Sequence, residues 1–488
     1  MDKRDQWNSR FAFILAAIGS AIGLGNIWRF PYICYANGGG AFLVAWLVAL
    51  FTAGIPLMIL EFGLGHKTEG SASEAFRKVN RKFEWFGWVA ILVGFFIVCY
   101  YAVIMSYCFS YVYHSLTLAW GDDPSGFFYQ QTLGLTEGPF EFGGIKGYLF
   151  IGLFLSWIAI FFSIWKGAKT VGKVVYATVL IPWFLLLIFV VRGVTLPGAV
   201  EGLKFYLTPD FHRLLSPQIW LEAYTQVFFS LSVGFGIMIA YSSFLPRKTD
   251  IVNNAFLISM ANCATSFLAG FAVFGALGYY AVKVGKPVAE VVASGPGLAF
   301  VTYPHIISNL PFWQPVFGVL FFLMLLTLGI DSAFSLAEAV AAGVRDKWKV
   351  SHRISNTAVC SIAIIIGIIF TTGAGLYWLD ILDRFMNRFG LSMVCLGECI
   401  LIGWVFGSGK IRKYVNGISE FRIGVWWDIL IRFFVPVVLG GLFLAELLER
   451  IGSSYEGYPR LAEFLGGWMM ILLLPVLGII LMLVKRRE

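Results

Sequence analysis

Residues 19–31 read Gly-Ser-Ala-Ile-Gly-Leu-Gly-Asn-Ile-Trp-Arg-Phe-Pro, and they interrupt an apolar run that begins at Phe11. Three glycines, an asparagine, an arginine and a proline make poor material for a plain helix in hydrocarbon. A second run, 228–236, reads Phe-Phe-Ser-Leu-Ser-Val-Gly-Phe-Gly. Backbone that leaves the helix at membrane depth is tolerated only where it is buried in protein or lines a cavity. Glycine-interrupted segments at matching positions of two halves point to a transporter's binding site.

The composition supplies the hydrocarbon setting. Of 488 residues, 59% are hydrophobic and 13% charged, and mean hydropathy is +0.79. Soluble domains carry about 25% charged residues. A soluble enzyme, a disordered scaffold and a nucleic-acid binder are excluded, and the net charge of +8 reads as topology. Cys34, Cys99, Cys108, Cys263, Cys360, Cys395 and Cys399 all lie in apolar stretches, at spacings unlike a zinc site or a disulfide framework. The first apolar stretch outruns a signal peptide and lacks its cleavage pattern.

A spanning helix needs about 20 mostly apolar residues. That length gives an all-α membrane protein with twelve spans, near 11–34, 41–65, 87–115, 147–165, 172–192, 222–244, 252–282, 313–343, 356–372, 376–406, 425–448 and 465–484. Of the 36 Lys and Arg, 24 fall in 1–10, 66–85, 166–173, 247–250, 345–353, 410–422 and 485–488. The positive-inside rule makes those segments and both termini cytoplasmic. The interruptions fall in spans 1 and 6, five spans apart. An odd number of spans turns the second repeat over, so two inverted repeats are expected, 11–192 and 222–406. Between them lies an outer loop, 193–221. Spans 11 and 12 (407–484) are appended, and short tails, 1–10 and 485–488, close the chain. Asp331 stands in an apolar run, where an acid is costly and functional by default. No phosphate-binding Gly-Lys motif serves a pump, and no nucleophile–base pair serves an enzyme. A channel would not need the paired charges flanking the interruptions.

Gly23-Leu24-Gly25-Asn26-Ile27-Trp28-Arg29-Phe30-Pro31 and Asn37-Gly38-Gly39-Gly40-Ala41-Phe42 closely resemble the first-helix signature of the neurotransmitter:sodium symporters, the LeuT-fold family. The likeness continues in Tyr100-Tyr101, in Arg192 to Ala199 and in Phe229-Ser230-Leu231-Ser232. It extends to residues 295–300 and Gly329-Ile330-Asp331-Ser332. The short tails and missing N-x-S/T sequons are similar to a prokaryotic member. The resemblance implies a sodium-coupled symporter of the cell membrane that imports a zwitterionic amino acid by alternating access.

The resemblance also implies the sites. One Na⁺ would take the Ala21 carbonyl, the Asn26 and Asn262 amide oxygens, Ser230 and the substrate carboxylate. A second would take the carbonyls of Gly19, Ile22 and Leu328 with the side chains of Asp331 and Ser332. The substrate carboxylate would meet bare N–H groups at Gly23 and Gly25, with Tyr101 as a further donor. Relatives that carry amines without a carboxylate are expected to hold an Asp where Gly23 stands, so the substrate brings its own carboxylate. Its side chain would face Ser20, Ile97, Phe229, Ser232, Phe235, Ser335 and Leu336, a neutral pocket. A small or medium neutral amino acid is expected, aliphatic before aromatic. The hydroxyls keep a β- or γ-amino acid such as taurine or GABA as the alternative.

Arg29 and Asp383 resemble the outer gate, above a lid of Tyr101 and Phe235. Arg4, Trp7 and Asp346 resemble the inner latch. Gly172 and Pro182 mark a stretch of span 5 expected to unwind. A chloride site would use Gln226, Ser230, Asn262 and Ser266, with Trp46 where the family has a Tyr. If chloride is not used, Glu61 and Glu398 are the first candidates for the missing negative charge.

Overall fold

The computed structural model describes residues 6–288 and 296–487. The described residues form helices and no strand. Among the described residues, nine helices are long and apolar enough to cross a membrane, starting with Gly40–Thr68 and Arg81–Ser115 and ending with Val425–Gly457 and Arg460–Leu483. A tenth candidate is a pair, Arg10–Ala21 and Gly25–Ala36, bent by 50°. The remaining two expected spans are shorter. One is the 17-residue helix Gly147–Ser163, and the other is split into Pro217–Ser230 and Ile237–Ser242.

The split has a backbone cause. Ser232, Gly234 and Gly236 have φ of +53°, +82° and +71°, left-handed values that no α-helix continues through. Glycine carries no Cβ penalty there, whereas Ser232 is held against one, as happens at functional sites. In the first pair, Ile22 turns extended (φ −88°, ψ 99°) and ends Arg10–Ala21. Both breaks therefore fall where the glycines sit.

Burial separates the helices. The most apolar window of Arg81–Ser115 is 94% buried, against 22% for each of the last two helices. Arg81–Ser115 is thus the central strut, packed along Gln314–Trp348, and the last two helices present apolar faces outward. Arg10–Ala21 packs against Ala168–Val194, Ile251–Val284 and Gln314–Trp348. The inner half of the split span lies on Ile55–Thr68, where a Cβ on Gly65 would come within 2.0 Å of the Ile239 carbonyl oxygen. Ala168–Val194 runs unbroken through Gly172 and Pro182, so the expected unwinding is absent in this state.

Candidate functional site

The two breaks face each other across a cavity of about 30 Å³. Ser20, Ala21, Gly23, Gly25 and Asn26 line it from the bent pair, and Ile97 and Tyr101 from the central strut. Phe229, Ser230, Ser232 and Phe235 come from the split span, and Ser332 and Leu336 from Gln314–Trp348. Ser335 is the one expected pocket residue outside this wall, and its Oγ lies 2.8 Å from that of Ser20. The glycines are demanded by close approach. A Cβ on Gly23 would come within 2.4 Å of Ser332 Oγ, and one on Gly25 within 2.8 Å of Phe229.

The N–H groups at the first break are not all bare as expected. Gly23 N–H, which lost its helical partner at the break, donates to Asn26 Oδ1 at 2.9 Å. Leu24 N–H donates to the Tyr101 hydroxyl at 3.1 Å. A phenol oxygen that accepts keeps its own hydrogen to give, so Tyr101 still presents a donor.

Asn26 then turns its Nδ2 inward, 2.8 Å from Asn262 Oδ1, 2.7 Å from Ser266 Oγ and 3.4 Å from Ser230 Oγ. Asn262 Nδ2 donates to Ser230 Oγ at 2.8 Å. The sequence expected the Asn26 oxygen here, and a cation at this cluster requires the amide to turn over. The competing Gly23 N–H is the reason it does not face inward in this state. Both polar atoms of the buried Gln226 amide lack a partner among the described residues. Trp46 is buried and packs on Phe30 with ring centres 4.7 Å apart. No described hydrogen bond joins it to this cluster.

Asp331 is fully buried with the Thr178 side chain close to it, and neither carboxylate oxygen has a hydrogen-bond partner at ordinary distance among the described residues. A Cβ on Gly19 would lie 2.9 Å from its Oδ2, which sets the carboxylate against the backbone of the first break. Ser332 Oγ donates to the Ser20 carbonyl at 3.2 Å, and Leu328 is buried one turn before Asp331. A buried carboxyl group without a hydrogen-bond partner, set against a helix break, is a poor arrangement for a protein alone and a good one for a cation.

Above the pocket, a vestibule of about 580 Å³ runs from Gly25, Tyr101 and Phe229 to Tyr455, Glu456 and Tyr458. Arg29 and Asp383 line it, but no ion pair joins them among the described residues, contrary to the expected gate. Asp383 accepts from the Tyr100 hydroxyl at 2.6 Å and from Asn387 at 2.9 Å. Of the expected lid, Tyr101 stands between the pocket and the vestibule and lines both, while Phe235 lines the pocket. Two vestibule pairs were missed, Arg388 with Glu222 and Arg384 with Glu446 at 2.7 Å. Their signal was in the sequence, because charges inside apolar spans seek one another.

The opposite mouth is closed. Trp7 Nε1 donates to the Tyr241 carbonyl at 2.9 Å, and Asp346 accepts from Ser71 N–H at 2.7 Å. Arg4, its expected partner, lies outside the described residues. Arg486 instead pairs with Glu74 and donates to the Asp346 carbonyl at 2.7 Å. Burial alone would raise the Glu74 carboxyl, but Arg77 and Arg486 more than offset it and hold it below the usual carboxylate range. Glu61 and Glu398 lie against each other at the second break, where Glu61 accepts from Gly234 N–H at 2.5 Å.

Residues 4–125 and 121–487 match the model of the sodium:neurotransmitter symporter family. A sodium-dependent transporter of Methanocaldococcus jannaschii is 43% identical, with 99% of this chain and 98% of the relative covered. The sodium- and chloride-dependent GABA transporter 2 of Mus musculus is 34% identical over 96% of this chain and 85% of its own. The sodium-dependent dopamine transporter of Caenorhabditis elegans is 33% identical over 95% and 84%. With the match running from residue 4 to residue 487, this chain belongs to the sodium:neurotransmitter symporter family, whose members are sodium-dependent membrane transporters and not enzymes.

Proposed function

We propose that this protein imports a neutral amino acid across the cell membrane, driven by two co-transported sodium ions. The observation that carries the reading is the buried Asp331 carboxylate, unpartnered beside the Gly19 break. A sodium ion wants several oxygens in place of its water, and a broken helix supplies carbonyls for that purpose. Gly19, Ile22, Leu328, Asp331 and Ser332 hold one ion. Ala21, Asn26, Ser230, Asn262 and the substrate carboxylate hold the other, once the Asn26 amide turns.

The substrate carboxylate docks at the Tyr101 hydroxyl and the Gly25 N–H, and the Gly23 N–H joins them once the Asn26 amide turns. Twelve crossings arranged as inverted repeats, 11–192 and 222–406, let the protein alternate about this fixed pocket. Both termini are cytoplasmic on the distribution of Lys and Arg. The open vestibule then faces outward and the Trp7–Asp346–Arg486 side faces the cytoplasm. Chloride binds among Gln226, Ser230, Asn262 and Ser266, supported by the unpartnered Gln226 amide.

The second reading, symport of a γ-amino acid, is favoured by the likeness to the mouse GABA transporter. Sodium titration of the purified protein, followed by thermal stability, tests the ion assignment. Sodium stabilises the wild type but stabilises Asp331→Ala far less. Equal stabilisation of both would remove Asp331 from the site.

A further inference from the structure

The pocket's space and its hydroxyl wiring narrow the substrate further, on the reading that it is a sodium-coupled amino acid symporter. We propose that it admits α-amino acids with side chains of at most about two heavy atoms, namely glycine, alanine and serine. A single water needs roughly 10–15 Å³ of such cavity space. On that scale the cavity of about 30 Å³ is a small chamber of a few waters' volume. Gly25, Tyr101 and Phe229 line both the pocket and the vestibule, so the substrate's charged end sits at that junction and only the remainder is left for its side chain.

The walls have little freedom to retreat. Leu336 backs onto Gly94, where even a Cβ would stand 3.0 Å from Leu336 Cδ2. Ile97 and Phe235 are 2% and 3% exposed, so both are packed from behind. The Phe229 ring is held on its outer face by the Arg29 guanidinium, 4.4 Å from the ring centre. Overfilling such a pocket forces side chains off their preferred rotamers.

The hydroxyls add a polarity rule. Ser232 donates to the Ser20 carbonyl at 2.9 Å and Ser332 to the same oxygen at 3.2 Å. Ser335 donates to the Ser332 carbonyl at 2.8 Å, so in its 2.8 Å contact with Ser20 the hydrogen comes from Ser20. All four hydrogens are directed into the protein. What these four serines offer a substrate is lone pairs, which suit an ammonium or a serine O–H. A side-chain carbonyl would find no donor from these serines, so glutamine fails on polarity as well as size.

Sodium-driven uptake of labelled alanine into proteoliposomes, competed by unlabelled compounds, reads this directly. Glycine and serine should compete well. Leucine, phenylalanine, glutamine and γ-aminobutyrate should be weaker by about tenfold or more, the discrimination a tight apolar pocket gives per excess methylene or two. Leu336→Ala should narrow the leucine-to-alanine gap by about tenfold, and Ile97→Ala serves if Leu336→Ala does not fold. Leucine or γ-aminobutyrate competing as well as glycine would overturn the size limit while leaving sodium-coupled transport intact. Glutamine competing like serine would overturn the polarity rule. Absence of sodium-dependent uptake for every compound would instead overturn the proposed function, and this inference with it.

Discussion

The Arg29 guanidinium lies over the face of Phe229, 4.4 Å from the ring centre, while Asp383 takes its hydrogen bonds from Tyr100 and Asn387. A guanidinium on an aromatic face is worth about 0.5–1 kcal/mol where exposed, and a solvated ion pair about 0–1 kcal/mol. The two partners of Arg29 are therefore nearly balanced, which suits a side chain that changes partner in each cycle.

That balance predicts how Asp383→Asn behaves. Losing the charged partner disfavours the closed outer gate by about 1 kcal/mol, roughly fivefold in population. Transport should slow by about that factor, while sodium-dependent stabilisation by substrate persists. Uptake and thermal-shift measurements on the same preparation separate the two effects.

The Arg388–Glu222 pair predicts a larger effect on stability than on chemistry. Both side chains are largely buried, at 5% and 13% exposure. Removing one partner leaves a buried charge alone, which costs about 3–5 kcal/mol. Arg388→Ala should therefore lower the melting temperature in detergent sharply. The double variant Arg388→Met with Glu222→Gln should recover most of that loss.

The proposed stoichiometry predicts chloride dependence from charge. Two sodium ions and a zwitterion would bring +2 into a buried site, and Asp331 would offset one charge. An uncompensated buried charge costs several kcal/mol. Replacing chloride with gluconate should slow uptake, and Ser266→Glu should make uptake independent of chloride. Unchanged wild-type uptake in gluconate would mean that Trp46 fills the site.

The mouth opposite the vestibule carries a pH signature. The Glu74 carboxyl is held below its ordinary value in the folded protein, so its contribution is present above that value and lost as pH falls through the depressed one. The stability difference between wild type and Glu74→Gln should be full at neutral pH and shrink below about pH 4. Arg486→Ala should mimic the acid state at neutral pH, seen as increased labelling of a cysteine placed behind Trp7.

The breaks in spans 1 and 6 were legible because glycine, proline and polar residues have few other uses inside an apolar run. The residues lining the pocket came from the family resemblance instead, since Ile97, Tyr101, Ser332 and Leu336 stand on unbroken helices and nothing local marks them. Partner choice was not legible. Asn26 is an amide beside a freed N–H, and only the three-dimensional turn at Ile22 decides which of its ends faces Asn262. Arg29 has Phe229 and Asp383 within one vestibule, and nothing in the sequence tells which of the two it meets. Arg486 stands hundreds of residues from Glu74 in sequence, and no local pattern announces that contact.

The most direct test of the account is uptake of alanine into proteoliposomes under an inward sodium gradient, compared with choline, for wild type and Asp331→Ala. Wild type should concentrate alanine only with sodium outside, and Asp331→Ala should not concentrate it at all. Equal accumulation in choline, or undiminished sodium-driven uptake by Asp331→Ala, would contradict the account.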